Sequence, residues 1–129
     1  IAFARFEDMR MTLYAAAVNG TSEPRKLTGG INRLRAISWS PDDSRIAFFG
    51  APEGWVDDLY VVDLEGRYSA PLADRVGVLN SQHIIWTPDG DHVIFNATVD
   101  NMPHIYVLNV ATGNLYRWTS PGRPAALLD

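Results

Sequence analysis

The chain repeats a short apolar pattern three times, at a spacing of about 46 residues, which falls within the range of β-propeller repeats. One landmark is an apolar triplet: Ile1-Ala2-Phe3, Ile46-Ala47-Phe48 and Val93-Ile94-Phe95. A second landmark, an aliphatic residue followed by tyrosine, keeps nearly the same spacing: Leu13-Tyr14, Leu59-Tyr60 and Ile105-Tyr106. Because a propeller blade is a sheet of four short strands, the pattern predicts an all-β chain of about three blades.

The apolar and turn-forming segments of each repeat predict the strands. The second repeat is complete, with strands expected at 35–40, 45–49, 59–64 and 68–73. The third repeats this order at 84–86, 92–96, 104–110 and 115–119, whereas the first lacks its opening strand and is read as 1–4, 12–18 and 24–28. The predicted blades are therefore 1–28, 35–73 and 82–119 within one domain, 1–129, and residues 120–129 are expected to start a next blade.

A turn motif of tryptophan, serine or threonine, proline and aspartate occurs in two of the repeats. Proline fixes φ, and the aspartate side chains can accept hydrogen bonds from nearby backbone N–H groups. We therefore expect a structural role for the motif rather than calcium binding. The two tryptophans are expected to be core residues. The motif residues are Trp39, Pro41, Asp42, Trp86, Pro88, Asp89 and Gly90.

These motifs, with the strands that follow them, resemble the WD-like propeller repeat of the TolB family over essentially the whole chain. The same repeat occurs in the propellers of tricorn-type and prolyl-oligopeptidase-type proteases. The TolB resemblance implies a non-catalytic scaffold that binds a protein or peptide in the periplasm or another extracytoplasmic compartment. The alternative is the substrate-gating propeller of a serine peptidase whose catalytic domain lies outside these residues.

Three blades are fewer than the roughly four to eight that close a propeller. We therefore expect part of a propeller of about six to eight blades. A second arrangement is a homodimer in which two copies form a ring of about six blades.

Composition and motifs exclude several classes of function. The formal charge of −4 argues against general nucleic-acid binding, which needs a basic surface. No apolar run approaches the roughly 20 residues that span a bilayer, so we expect no membrane insertion by this segment. There is no cysteine, no G-x-S-x-G motif and no metal-ligand spacing of histidines. We expect no cofactor, no metal and no enzymatic activity in this chain.

The connections between predicted strands give the candidate binding face. Connections at 4–11, 50–57 and 96–103 within blades, and at 29–34 and 74–83 between blades, are predicted to be long and to lie on one face. Long loops on a rigid scaffold commonly carry binding residues. Trp55 is a candidate aromatic anchor, and His83 could face the central channel. The full set of candidate binding residues is Arg5, Phe6, Arg33, Arg35, Glu53, Trp55, Asp57, His83, Asp100 and Met102.

Overall fold

The computed structural model describes residues 1–54, 56–67, 83–99 and 101–119, which form ten β-strands and no helix. The strand bounds are β1 Ala2–Glu7, β2 Arg10–Ala15, β3 Arg25–Lys26, β4 Arg33–Trp39, β5 Arg45–Ala51, β6 Asp58–Asp63, β7 Ile84–Trp86, β8 His92–Val99, β9 Met102–Asn109 and β10 Leu115–Arg117. The predicted strand at 68–73 and the predicted start of a next blade at 120–129 lie outside the described residues. No helix that could cross a membrane occurs in the described ranges.

The strands form three antiparallel sheets, each from consecutive segments of the chain. The first sheet has the order β1-β2-β3, the middle sheet β4-β5-β6, and the third sheet β10-β9-β8-β7. Every neighbouring pair is antiparallel and adjacent in the chain, as in propeller blades. The prediction of an all-β chain built from propeller blades is confirmed.

The core lies between the sheets, and one aromatic pair recurs in all three. In each sheet a phenylalanine stacks on a tyrosine of the neighbouring strand. The pairs are Phe3–Tyr14 on β1 and β2, Phe48–Tyr60 on β5 and β6, and Phe95–Tyr106 on β8 and β9. The ring centroids are 5.7, 5.5 and 5.8 Å apart, with interplanar angles of 14°, 18° and 20°. The constant geometry shows that the sequence repeat encodes a repeated packing unit.

The turn motif holds its backbone with aspartate side chains. The carboxylate of Asp42 accepts hydrogen bonds from the hydroxyls of Ser40 at 2.6 Å and Ser44 at 2.7 Å. Asp89 accepts in the same way from the Thr87 hydroxyl at 2.6 Å and the Asp91 backbone N–H at 2.9 Å. These hydrogen bonds lower the pKa of Asp42 to about 2, chiefly through Ser40, and they also lower the pKa of Asp89.

The two motif tryptophans differ in burial. Trp86 is 8% exposed, whereas Trp39 is only partly buried, against the cluster between the first and middle sheets. The expectation that both are core residues is therefore correct for Trp86 and only partly so for Trp39. Trp39 borders a groove that is also lined by Ile1, Ala16 and Val18.

The predicted long loops at 4–11 and 96–103 are wrong. In the first sheet β1 and β2 run on to a two-residue turn, Asp8-Met9, with φ of 48° and 65°. In the third sheet β8 and β9 continue until Val99 pairs with Met102. Positive φ at both central residues is typical of the two-residue hairpin turn whose backbone twist matches the right-handed twist of the flanking strands. Aspartate tolerates this region, but methionine gives no such signal in a sequence.

Candidate functional site

The candidate site lies where β4 begins and where the connection between β5 and β6 ends. Asp57 precedes β6, and its side chain is 1% exposed. Arg33 and Arg35 of β4 both point a guanidinium nitrogen at the Asp57 Oδ2 atom. Arg33 is 3.7 Å away and Arg35 forms a closer hydrogen-bonded pair. Three of the candidate binding residues thus form one cluster, the Arg33–Arg35–Asp57 cluster.

A bulge in β4 follows these arginines and separates their face from that of Ile37. Ala36 has a φ of 51°, and the register with β5 shifts between Arg35 and Ser38. Because of this shift, Leu34 and Ile37 both pack in the cluster between the first and middle sheets, although regular alternation would separate them. Arg33 and Arg35 keep the opposite direction, toward Asp57. Nothing in the sequence signals this bulge, since alanine is not typical of the left-handed region.

The arginine side chains of the cluster are partly exposed to solvent. Two guanidinium groups meet one carboxylate, and the arginine side chains remain 33% and 30% exposed. Asp57 Oδ1 is buried and makes no hydrogen bond with the described residues, so Oδ2 alone receives the arginines. A buried carboxylate needs its cationic partner, because removing that partner leaves an uncompensated charge. Arg35, the closer partner of Asp57, therefore stabilises the fold.

A small apolar recess lies near the other end of the same connection. It has a volume of about 50 Å³, room for one or two waters or a small aliphatic group. Its lining is Gly29, Gly30, Ile31, Phe48, Pro52 and Tyr60. The sequence did not predict it, since residues from both the first and middle sheets must meet to form it. Pro52 thus borders this recess, and Asp57 of the same connection belongs to the Arg33–Arg35–Asp57 cluster.

Two candidate residues of the first sheet lie in a strand rather than in a loop. Arg5 pairs with Glu7 at 3.3 Å, and its guanidinium carbon lies 4.9 Å from the centre of the Tyr14 ring. The Tyr14 hydroxyl donates to Glu7 at 3.0 Å. Burial, and then the bond to Glu7, raise the pKa of Tyr14. Phe6 is 71% exposed near the hairpin end. Arg5 thus belongs to a local network that the sequence did not reveal.

The remaining described candidate residues lie after β5, before β7 and in β9. Glu53 is exposed in the connection between β5 and β6, and Met102 is partly buried in β9 opposite Val99. His83 is partly buried just before β7. Trp55 and Asp100 lie outside the described residues. Within the described ranges, no group of three or more histidine, aspartate and glutamate side chains could hold a metal ion.

Repeated antiparallel sheets of three or four strands, Phe–Tyr stacks and aspartate-held turns are typical of β-propeller blades. Among solved structures, the chain is similar to TolB from Acinetobacter baumannii, with a TM-score of 0.73 and 24% identity over 97% of this chain and 30% of that one. It is also similar to a putative TolB from Agrobacterium tumefaciens, with a TM-score of 0.67 and 23% identity over 84% of this chain and 39% of that one. The chain therefore has the TolB propeller fold, which confirms the resemblance at the level of the fold.

The chain spans between 30% and 39% of the length of these two structures. No protein-family model matches the chain. No curated protein matches it in sequence.

Proposed function

We propose that this chain is part of a non-catalytic propeller scaffold that binds a protein or peptide through the Arg33–Arg35–Asp57 cluster. One observation carries the proposal. About a third of each arginine side chain, Arg33 and Arg35, is exposed, while the buried carboxylate of Asp57 holds both arginines in place. Guanidinium groups bind carboxylates through paired N–H donors, and a partner anion gains most when the donors are already positioned. The expected partner therefore presents an acidic side chain or a terminal carboxylate.

The connection at 52–57 supports a peptide as the ligand. It places an apolar recess near one end and the basic cluster at the other. A peptide with a small apolar residue close to an acidic residue would satisfy both features. The proposal includes residues 1–129 as part of one propeller with repeats at 1–28, 35–73 and 82–119. The TolB fold supports it, because propellers in general carry ligands on their loop faces.

A pair of labelled peptides tests the acidic preference. One peptide alternates glutamate with valine and glycine, and the other replaces each glutamate with glutamine. Fluorescence anisotropy should show that the chain binds the glutamate peptide more tightly, and that added salt weakens this binding.

Arg33→Gln provides the test of the site itself. The variant keeps the closer Arg35–Asp57 pair, so it should fold normally and bind the glutamate peptide about tenfold more weakly. Arg67→Gln is the matched control, because Arg67 is 78% exposed and pairs with Asp63, four residues away, rather than with Asp57. Equal affinity for both peptides, or an equal loss in both variants, would show that the cluster is not the binding site.

A further inference from the structure

The connection between β2 and β3 contains an asparagine followed by glycine. It runs over residues 16–24, whereas the corresponding connection between β9 and β10 takes only 110–114. Of the seven asparagines in the sequence, only Asn19 precedes a glycine. Because glycine has no Cβ, the backbone nitrogen of Gly20 is less shielded than that of any other residue type in this position. Asn19, Gly20 and Thr21 are all exposed.

Two hydrogen bonds hold the side chain of Asn19 over the peptide bond that joins it to Gly20. The Thr21 backbone N–H donates to Asn19 Oδ1 at 3.1 Å, and the Thr21 hydroxyl donates to the same atom at 2.7 Å. Both bonds draw electron density toward Oδ1 and make Asn19 Cγ more electrophilic. They also point at the atom on which negative charge develops when a nucleophile adds to Cγ, as the donors of an oxyanion hole do.

The backbone nitrogen of Gly20 is a nucleophile with room to move. Its N–H donates to the Ala17 carbonyl at 3.3 Å, a long distance for a backbone hydrogen bond. A Cβ added at Gly20 would meet nothing within 4 Å, and φ there is 67°. The Gly20 peptide can therefore turn toward the Asn19 side chain without displacing another part of the described chain.

We propose that Asn19 is a site of spontaneous deamidation, and that Thr21 promotes the reaction as a hydrogen-bond donor. The Gly20 nitrogen loses its proton to solvent base and forms a bond to Asn19 Cγ. The bond from Cγ to Nδ2 then breaks, and Nδ2 takes up a proton from solvent and leaves as ammonia, so a succinimide ring joins the two residues. Water adds to one of the two ring carbonyls and breaks its bond to nitrogen. The product has aspartate or isoaspartate at position 19.

The reaction changes the charge and the shape of this connection. One neutral side chain becomes a carboxylate, so the formal net charge of −4 becomes −5 (−4 − 1). Isoaspartate also adds one carbon to the main chain. The connection follows the end of β2 at Ala15, whereas the bridge between Met11 and Ile31 places the start of β4 beside the start of β2. The proposal therefore does not rest on the Arg33–Arg35–Asp57 cluster.

Peptide mapping of the unmodified 129-residue chain, kept folded in mildly alkaline buffer, tests the site. Trypsin cleaves after Arg10 and Arg25, so the peptide 11–25 contains Asn19 as its single asparagine. The peptide 27–33 contains Asn32, which is also exposed but precedes an arginine, and it is the internal control. Relative to a sample digested at once, mass spectrometry should show that Asn19 deamidates at least about tenfold faster than Asn32. Isoelectric focusing should show a new, more acidic form that migrates with Asn19→Asp.

A pair of variants tests the role of Thr21. Thr21→Val keeps the size of the side chain but removes the hydroxyl donor, and it should slow deamidation of Asn19 about fivefold. Thr21→Ser is the matched control, because it keeps the hydroxyl and should deamidate at the rate of the unmodified chain. Urea midpoints equal to that of the unmodified chain are expected in both variants, since Thr21 is exposed.

Two results would overturn the proposal. If Asn19 deamidates no faster than Asn32 in the folded chain, position 19 is not a preferred site. If Thr21→Val and Thr21→Ser deamidate at equal rates, the hydroxyl of Thr21 does not promote the reaction. The first comparison uses the unmodified chain, so it does not depend on the folding of any variant.

Discussion

The aromatic pair of the first sheet has the same geometry as its counterparts but different surroundings. Phe3 and Tyr14 stack at 5.7 Å, close to the 5.5 and 5.8 Å of the other two pairs. Phe48 and Phe95 are almost completely buried, whereas Phe3 is only partly buried. The pairing is thus a local property of two strands, and the burial comes from a neighbouring sheet. The predictions below test this division.

The largest difference is expected from removing the phenylalanine ring. Phe95→Ala should lower the free energy of unfolding by about 3 to 5 kcal/mol, because it leaves a cavity in a packed core. Phe3→Ala should cost well under half as much, since its ring already contacts solvent. Urea denaturation measures both. Equal losses would mean that the stack itself, rather than the neighbouring sheet, provides the stability.

The motif tryptophans should show a smaller difference of the same kind. Trp86→Phe loses the hydrogen bond to Ser38 and part of a buried ring, and should cost about 1 to 3 kcal/mol. Trp39→Phe should cost less than about 1 kcal/mol, because the Trp39 indole has no acceptor among the described residues. Urea midpoints of the two variants give the comparison. A larger loss at Trp39 would contradict the partial burial of its side chain.

The aspartate-held turns predict a loss of stability in acid. The pKa of Asp42 in the fold, about 2, lies below its ordinary value, so the folded chain favours the charged carboxylate. This stabilisation is complete above about pH 4 and is lost as the pH falls through about 2. The urea midpoint should therefore fall across this range, and it should fall less in Asp42→Asn. Asp89→Asn should also reduce the fall of the urea midpoint in acid, because the pKa of Asp89 is lowered too. If the urea midpoint of both variants falls with pH as steeply as that of the unmodified chain, this account is wrong.

The smallest effect is expected at the exposed ion pair between the first and middle sheets. Arg25 and Glu65 lie 2.6 Å apart, but their side chains are 55% and 57% exposed. Pairs of this kind contribute little, so Glu65→Gln should change the free energy of unfolding by less than about 0.5 kcal/mol. A clear loss in low salt that disappears in high salt would show that this pair helps to join the two sheets.

Much of the fold could be predicted because the repeat combines apolar spacing with turn chemistry. The bounds of β7, Ile84–Trp86, agree with the prediction, and so do the turns after Trp39 and Trp86. The hairpin at Asp8-Met9 was missed because it lacks the glycine that marks such turns. The apolar pattern could not reveal it either. Phe6 belongs to β1, but its side chain is exposed and takes no part in the core that the pattern marks.

The site was only partly predictable for a different reason. Arg33, Arg35 and Asp57 were each candidates because of their charge and position in the sequence. Regular alternation places Arg33 and Arg35 on one face of β4, but it cannot show that Asp57 meets them there. The bulge at Ala36 then turns Ile37 to the opposite face, whereas a pattern of period two would place Ile37 on the arginine face. The groove beside Trp39 depends on packing between two sheets, which no local pattern contains.

The tight hairpin of the first sheet has a consequence for how such a protein can be modified. Asp8 and Met9 occupy the connection that residues 52–57 occupy in the middle sheet, while the flanking strands keep the same pairing. One scaffold thus already accommodates two loop lengths at the same junction. The Met9 side chain is 86% exposed, so replacing it by an inserted sequence would remove little packing. The junction is therefore a natural grafting point, where new recognition loops can be installed and exchanged while the blade beneath them stays the same.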